Sequence, residues 1–182
     1  MKNEYLAEFQ SSNNDGLDFG QSKLRSRLVE KYAWAIPDER AIRLIVKYSP
    51  IVEIGCGTGY WARLITDNGG IVFPFDSHVP GIDTNPYRHK VTYVDILKGS
   101  IEVLDKLKNF NLFLCWPPMD SFAYDALRRY QGDTLIYIGE NEYGCTADRK
   151  FFKELNKWKM IVKHRLPRWY GIHDYLTIYK RI

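Results

Sequence analysis

The strongest chemical pattern in the chain is a short run, VEIGCGTGYWARL, carrying Glu53, Gly55, Gly57 and Gly59. Apolar residues precede it and a helix-like pattern follows, so the glycines stand where a strand turns into a helix. Residues without a Cβ at alternate positions let a ligand lie almost against the main chain, although a plain strand-to-helix turn also uses glycine. About twenty residues further on, IVFPFD ends in Asp76, placed to accept the hydroxyls of a ligand's ribose. A later apolar run ends in Cys115-Trp116-Pro117-Pro118. Two prolines fix a rigid exit from a strand, and a tryptophan beside them can wall an apolar pocket. Another run ends at Gly139-Glu140. A carboxylate just past a core strand is the best-placed general base or substrate-orienting group, and Glu140 is nearer the strand end than Glu142. His173-Asp174 has the composition of an acid–base pair, but it falls in a short turn, and the turn accounts for it.

These residues work together only if the segments between them form one sheet. Short apolar runs lie at 51–54, 71–75, 91–96 (a weak one), 111–116, 134–139, 160–165 and 175–179. Helical spacing covers 24–34, 60–67, 101–107, 123–130 and 147–158, and Pro37-Asp38-Glu39 opens a further helix that ends before Ser49-Pro50. Alternating strand and helix predicts an α/β domain with a mainly parallel sheet. The link 166–174 is too short for a helical crossover, which predicts an antiparallel final pair. Residues 1–22 are polar and turn-rich and read as a flexible arm, with Tyr5, Leu6 and Phe9 able to dock. Residues 23–182 read as one domain.

The nicotinamide fingerprint G-x-G-x-x-G fails here, because its third glycine position falls on Tyr60. E-x-G-x-G-x-G, running from Glu53 to Gly59, instead resembles motif I of class I S-adenosylmethionine (SAM) methyltransferases. The resemblance implies a Rossmann-like three-layer α/β sandwich, with a seven-stranded, mainly parallel sheet and an antiparallel C-terminal strand. It implies a SAM site made by Glu53, Gly55, Cys56, Gly57, Gly59 and Asp76, with Trp116 nearby and Asp95, at the end of the third strand, for the adenine amino group. Members that methylate exocyclic amines of bases or glutamine amides end the fourth strand in Asp- or Asn-Pro-Pro-aromatic. Here Trp116 stands before the prolines and Met119 after them. Tryptophan has no acceptor for an amine hydrogen, so that chemistry does not carry over directly. AWAIP at 33–37, CWPP, YIGE with GCTAD, and the late PRWYG resemble a small, little-characterised group of the superfamily that brings no settled substrate. On this reading Trp116 and Pro117 shape the reacting centre, and Glu140 orients or deprotonates the acceptor. Trp34, Tyr60, Trp61 and Trp169 line its mouth.

Composition narrows the function classes. With 182 residues, 45% hydrophobic and 26% charged, the chain can bury one sizeable core. A net charge of +4 without a long Lys/Arg run permits nucleic acid but does not indicate it. Cys56, Cys115 and Cys145 are sparse, odd in number and without metal-ligand spacing, as expected of reduced thiols in a cytoplasmic protein with no metal site. No run has the length of a membrane span. The expected activity is methyl transfer from SAM to an unidentified acceptor, a small molecule or protein side chain before a nucleic-acid base. The rival is a non-catalytic SAM-binding partner protein. Oligomeric state is not set by any of these features.

Overall fold

The apolar runs converge on a single sheet. The computed structural model describes residues 2–12 and 19–182. Its helices are α1 (Glu4–Ser12), α2 (Phe19–Lys31), α3 (Glu39–Val46), α4 (Tyr60–Asp67), α5 (Phe122–Arg129) and α6 (Arg149–Leu155). Its strands are β1 (Ile51–Ile54), β2 (Val72–Asp76), β3 (Leu97–Lys98), β4 (Asn111–Cys115), β5 (Thr134–Gly139), β6 (Trp158–Arg165) and β7 (Tyr175–Arg181). The seven strands lie in the order β3-β2-β1-β4-β5-β7-β6. Pairing is parallel from β3 to β5, and β7 runs antiparallel to both β5 and β6. Every residue of β1 and of β5 is buried, as expected of strands covered on both faces, which is why they read as unbroken apolar runs. One core packs α1 to α4 on one face, through residues such as Tyr5, Leu28, Ile42 and Trp61. The other packs α5 and α6 on the opposite face, through Leu127 and Phe151. The result is a Rossmann-like three-layer sandwich. Among the described residues no helix is long and apolar enough to cross a membrane.

Three segments depart from the sequence reading, the first being 101–107, which is a short 3-10 helix over Ile101–Asp105. The third strand is not 91–96 but the two-residue Leu97–Lys98. The preceding segment is instead drawn across the glycine loop: the Tyr93 N–H donates to the Thr58 carbonyl at 2.9 Å, and Val94 and Ile96 pack over Gly59. Their apolar side chains serve that contact rather than the sheet.

The expected arm instead contains α1 (Glu4–Ser12), a docked helix, and residues 19–22 belong to α2. Tyr5 and Phe9 are 0% and 7% exposed. Tyr5 stacks on Tyr32 with centroids 5.1 Å apart and accepts from Trp169 Nε1 at 3.1 Å, while Glu4 pairs with Arg63 at 2.5 Å. An i,i+4 aromatic pair among polar residues is a weak signal alone, and it gains its partners from sequence-distant α4 and the 166–174 link. The stretch from Asn13 to Asp18, part of the expected arm, lies outside the described residues.

The start expected at Pro37-Asp38-Glu39 is the start found. Asp38 Oδ1 accepts from the Ala41 N–H at 2.7 Å, and the same carboxylate meets His164 Nε2 at 2.8 Å. Asp38→Ala is therefore expected to lower stability by about 1–2 kcal/mol, seen as a lower urea midpoint at unchanged slope.

Candidate cofactor and acceptor site

Beyond the carboxyl ends of β1, β2 and β4, where strand order reverses between β1 and β4, lies a cavity of about 390 Å³. This switch point is where open α/β sheets place their ligands. Gly55, Gly57 and Asp76 face it on one side, and Trp34, Trp116, Pro117 and Pro118 on the other.

The glycine side is built from backbone geometry. Gly57 and Gly59 sit at φ 58° and 72°, a region that residues with a Cβ rarely adopt. A Cβ on Gly59 would stand 2.6 Å from Val94 Cγ2, so packing behind the loop also demands glycine there. A Cβ on Gly57 would lie 3.3 Å from His89 Nε2, at the cavity wall. The Gly57 N–H donates to Asp76 Oδ2 and the His78 N–H to Oδ1, both at 2.8 Å. Main-chain donors thus fix the Asp76 carboxylate and leave each oxygen a further lone pair for a ligand hydroxyl.

Glu53, 1% exposed, has an Oε2 without a hydrogen-bond partner. Burial, then the charge of Asp76, push its pKa well above the usual carboxylate range. Burial likewise raises the Cys56 thiol, which makes it a packing group rather than a nucleophile. Glu53, Cys56 and Gly59 do not line the cavity, whereas Gly55, Gly57, Asp76, Trp116 and Pro117 do.

On the far wall Trp116 adopts φ 53°, an uncommon conformation for a bulky residue. Two contacts hold it there. Its ring stacks on Trp34, centroids 5.0 Å apart and planes 12° apart, and its Nε1–H donates to Asp174 Oδ1 at 2.8 Å. Asp174 is 2% exposed. Burial pushes its pKa up to about 7, against the lowering effect of the Trp116 bond. A turn therefore accounts for the exposed His173 but not for Asp174, which buttresses the cavity wall. The local hint was an acid directly before the apolar run of β7.

His89 was also missed. Its Nδ1 lies 3.1 Å from the Glu30 carbonyl. A carbonyl only accepts, so Nδ1 carries the proton and Nε2 is left as an acceptor on the cavity wall. Burial lowers its pKa, which keeps the ring neutral.

Several expected site residues are placed elsewhere. Glu140 does not line the cavity; its Oε2 accepts from the Cys145 N–H at 2.8 Å and its Oε1 from the His173 N–H at 2.7 Å, which turns the carboxylate toward those two loops. Burial acts to raise its pKa, but these donors outweigh it and the net shift is downward. Glu140 clamps the 141–145 loop to the 173 turn and is not positioned as a base. Tyr60, Trp61 and Trp169 are 0%, 2% and 4% exposed, core residues rather than mouth residues. The first turn of α4 faces inward, and the Tyr60 hydroxyl accepts from the Tyr5 N–H at 3.1 Å. Of the four aromatics expected at the mouth, Trp34 lines the cavity, joined by Trp116 and Tyr87. Asp95 is exposed, precedes β3 rather than ending it, and is not on the cavity. Among the described residues no group of three or more His, Cys, Asp or Glu is arranged to hold a metal.

No family model matches the chain, and no curated protein does. Among solved structures it is similar to magnesium protoporphyrin IX methyltransferase from Synechocystis PCC 6803 with bound SAM. That match has a TM-score of 0.53 and 10% identity, over 97% of this chain and 91% of that one. It is also similar to 1,6-didemethyltoxoflavin-N1-methyltransferase from Burkholderia thailandensis with bound 1,6-didemethyltoxoflavin and S-adenosylhomocysteine. There the TM-score is 0.51 and the identity 16%, over 92% of each chain. At these identities the likeness is one of fold, and the fold is one that SAM-dependent methyltransferases use.

Proposed function

We propose that this chain is a SAM-dependent methyltransferase acting on a small molecule. The observation that carries the reading is one cavity with two unlike walls: the Gly57–Asp76 pair facing Trp116-Pro117-Pro118 at the switch point of the sheet. The residues present fit the cofactor. Asp76 has free lone pairs for two ribose hydroxyls, and Gly55 and Gly57 present bare backbone to the cavity. Both solved relatives described above contain SAM or its demethylated product, which supports the same ligand here.

Bound SAM supplies an electrophilic methyl group on a sulfonium. What the chain adds is alignment of the nucleophile and exclusion of water. The stacked Trp34–Trp116 pair makes an apolar wall for that purpose, and Pro117-Pro118 holds the chain rigid where it leaves β4. His89 Nε2, an unprotonated acceptor on the cavity wall, takes the proton-accepting role that Glu140 does not fill.

The test follows S-adenosylhomocysteine formation from SAM with a panel of phenols, amines and carboxylic acids, with RNA and DNA as further arms. Turnover is expected with a small acceptor, and Trp116→Ala should lower kcat/KM by about ten- to a hundredfold while leaving SAM affinity little changed. A base methyltransferase would instead turn over nucleic acid, with binding that falls steeply with salt. The second reading, a non-catalytic SAM-binding protein, is favoured by the absence of an amine acceptor at Trp116 together with the position of Glu140 off the cavity. SAM binding without turnover on any arm would select it.

A further inference from the structure

A second cavity, of about 340 Å³, adjoins the first, with Trp34, Pro86 and Tyr87 lining both. Its remaining walls include Arg25, Val29, Glu30 and Arg88. Arg25 is half-buried on α2, with its guanidinium carbon 5.6 Å from the Trp34 ring centroid. Its Nε is buried without a hydrogen-bond partner, and it forms no ion pair with a described residue. Arg88 reaches Glu30 at only 3.8 Å, with 81% of its side chain exposed. Two guanidinium groups and one carboxylate thus line this cavity, and Ser26 and otherwise apolar or aromatic residues complete it. The Arg25 Nε is itself closed off from solvent, so it is the rest of that guanidinium, with that of Arg88, that can meet a ligand in the cavity, and the guanidinium fork matches a carboxylate or phosphate.

We propose that the second cavity is the acceptor site and that the acceptor is a small organic oxyanion. Its apolar body lies against Val29, Pro86 and Tyr87, its carboxylate or phosphate binds Arg25 and Arg88, and its reacting end passes Trp34 into the first cavity. That the bound molecule is a methyl acceptor rests on the methyltransferase reading; the preference for an anion does not.

Two measurements on the full chain keep these apart. Calorimetry with S-adenosylhomocysteine tests the cofactor cavity. Tryptophan-fluorescence titrations, with and without S-adenosylhomocysteine, compare hydroxy- and aminobenzoates with their neutral amides, and phenyl phosphate with phenol. At least one anion is expected to bind about tenfold more tightly than its neutral partner, the factor given by one charge-assisted contact. Whether a benzoate or phenyl phosphate shows it identifies the head group. Arg25→Gln should erase the preference and Arg88→Gln should weaken it, both with unchanged S-adenosylhomocysteine affinity. Arg88→Gln alters an exposed side chain, so it remains informative if Arg25→Gln does not fold. The proposal is overturned if no probe binds, if no anion outbinds its neutral partner, or if the preference survives in every folded variant. An arginine-dependent preference in a protein that does not bind S-adenosylhomocysteine would leave the anion site standing and remove the methyltransferase reading.

Discussion

Gly57→Val is expected to abolish the thermal stabilisation that SAM and S-adenosylhomocysteine give the wild-type protein. At a hundred times its dissociation constant a ligand adds about 2.7 kcal/mol, so the wild-type response is measurable in a melting experiment, with NAD as the silent control. Three effects converge in the variant. Position 57 holds φ 58°, which a β-branched residue adopts only under strain of about 1–3 kcal/mol. A Cβ there would lie 3.3 Å from His89 Nε2, so the methyl groups beyond it enter the cavity or displace the histidine. Any shift of the loop also strains the 2.8 Å bond from the Gly57 N–H to Asp76. Because the strain alone lowers the melting point, the decisive quantity is the ligand-induced shift rather than the melting point itself. Asp76→Ala supplies a second route to the same result: the loop keeps its glycines but loses the carboxylate, and SAM affinity should fall about a hundredfold, as two charge-assisted contacts would give. A folded Gly57→Val protein that keeps the full shift would show that the glycines make a turn and not a cradle.

The cradle was legible because its determinants are local. Alternate glycines, the strand before them and the helix after them occupy one continuous stretch, and α4 spans the 60–67 expected from spacing. Asp76 was reachable by its distance from the glycines. The far wall was not legible, because it is assembled by pairing between distant segments. Antiparallel register sets Leu176 opposite Ile138 and Tyr175 opposite Gly139, which brings Asp174 beside the end of β5, next to the strand that carries Trp116. From sequence alone Glu140, at a strand end, looked better placed than an acid in a turn. What reversed the order was main-chain geometry: two N–H groups reach Glu140, and the left-handed turn at Trp116 aims its indole at Asp174. The positions of Tyr60 and Trp61 follow from a related cause, since an aromatic at a helix start faces either the ligand or the core: α1 holds Tyr60 inward and Trp61 packs edge-on to Phe113 of β4. Arg25, on a helix with ordinary amphipathic spacing, carried no sign that would separate it from a solvated arginine.

Asp174 gives the second large effect, and its sign is opposite to that of a salt-bridged carboxylate. Its pKa is raised from an ordinary 3.8 to about 7, first by burial and then by the nearby charge of Glu140, against the lowering pull of Trp116, Arg25 and Arg168. Between those two values the folded chain holds a proton that the unfolded chain has released. Its contribution is therefore fully present below pH 4, lost as pH rises towards 7, and absent above it. Three pH units correspond to roughly 4 kcal/mol, an upper figure for the change. Asp174→Asn stays neutral throughout and keeps an oxygen for Trp116 Nε1, so it should flatten the decline between pH 4 and 7 and be more stable than wild type at pH 8. Asp174→Ala, by contrast, leaves the indole N–H unmatched at a cost of about 1–3 kcal/mol and releases Trp116 from its strained turn. Urea midpoints at pH 5, 7 and 8 separate the two variants, and an Asn variant with the wild-type pH slope would mean that another group titrates. Turnover adds a readout that stability does not supply. If Asp174 acts by holding the indole on the cavity wall, the Asn variant retains kcat/KM at pH 8 and the Ala variant falls with Trp116→Ala.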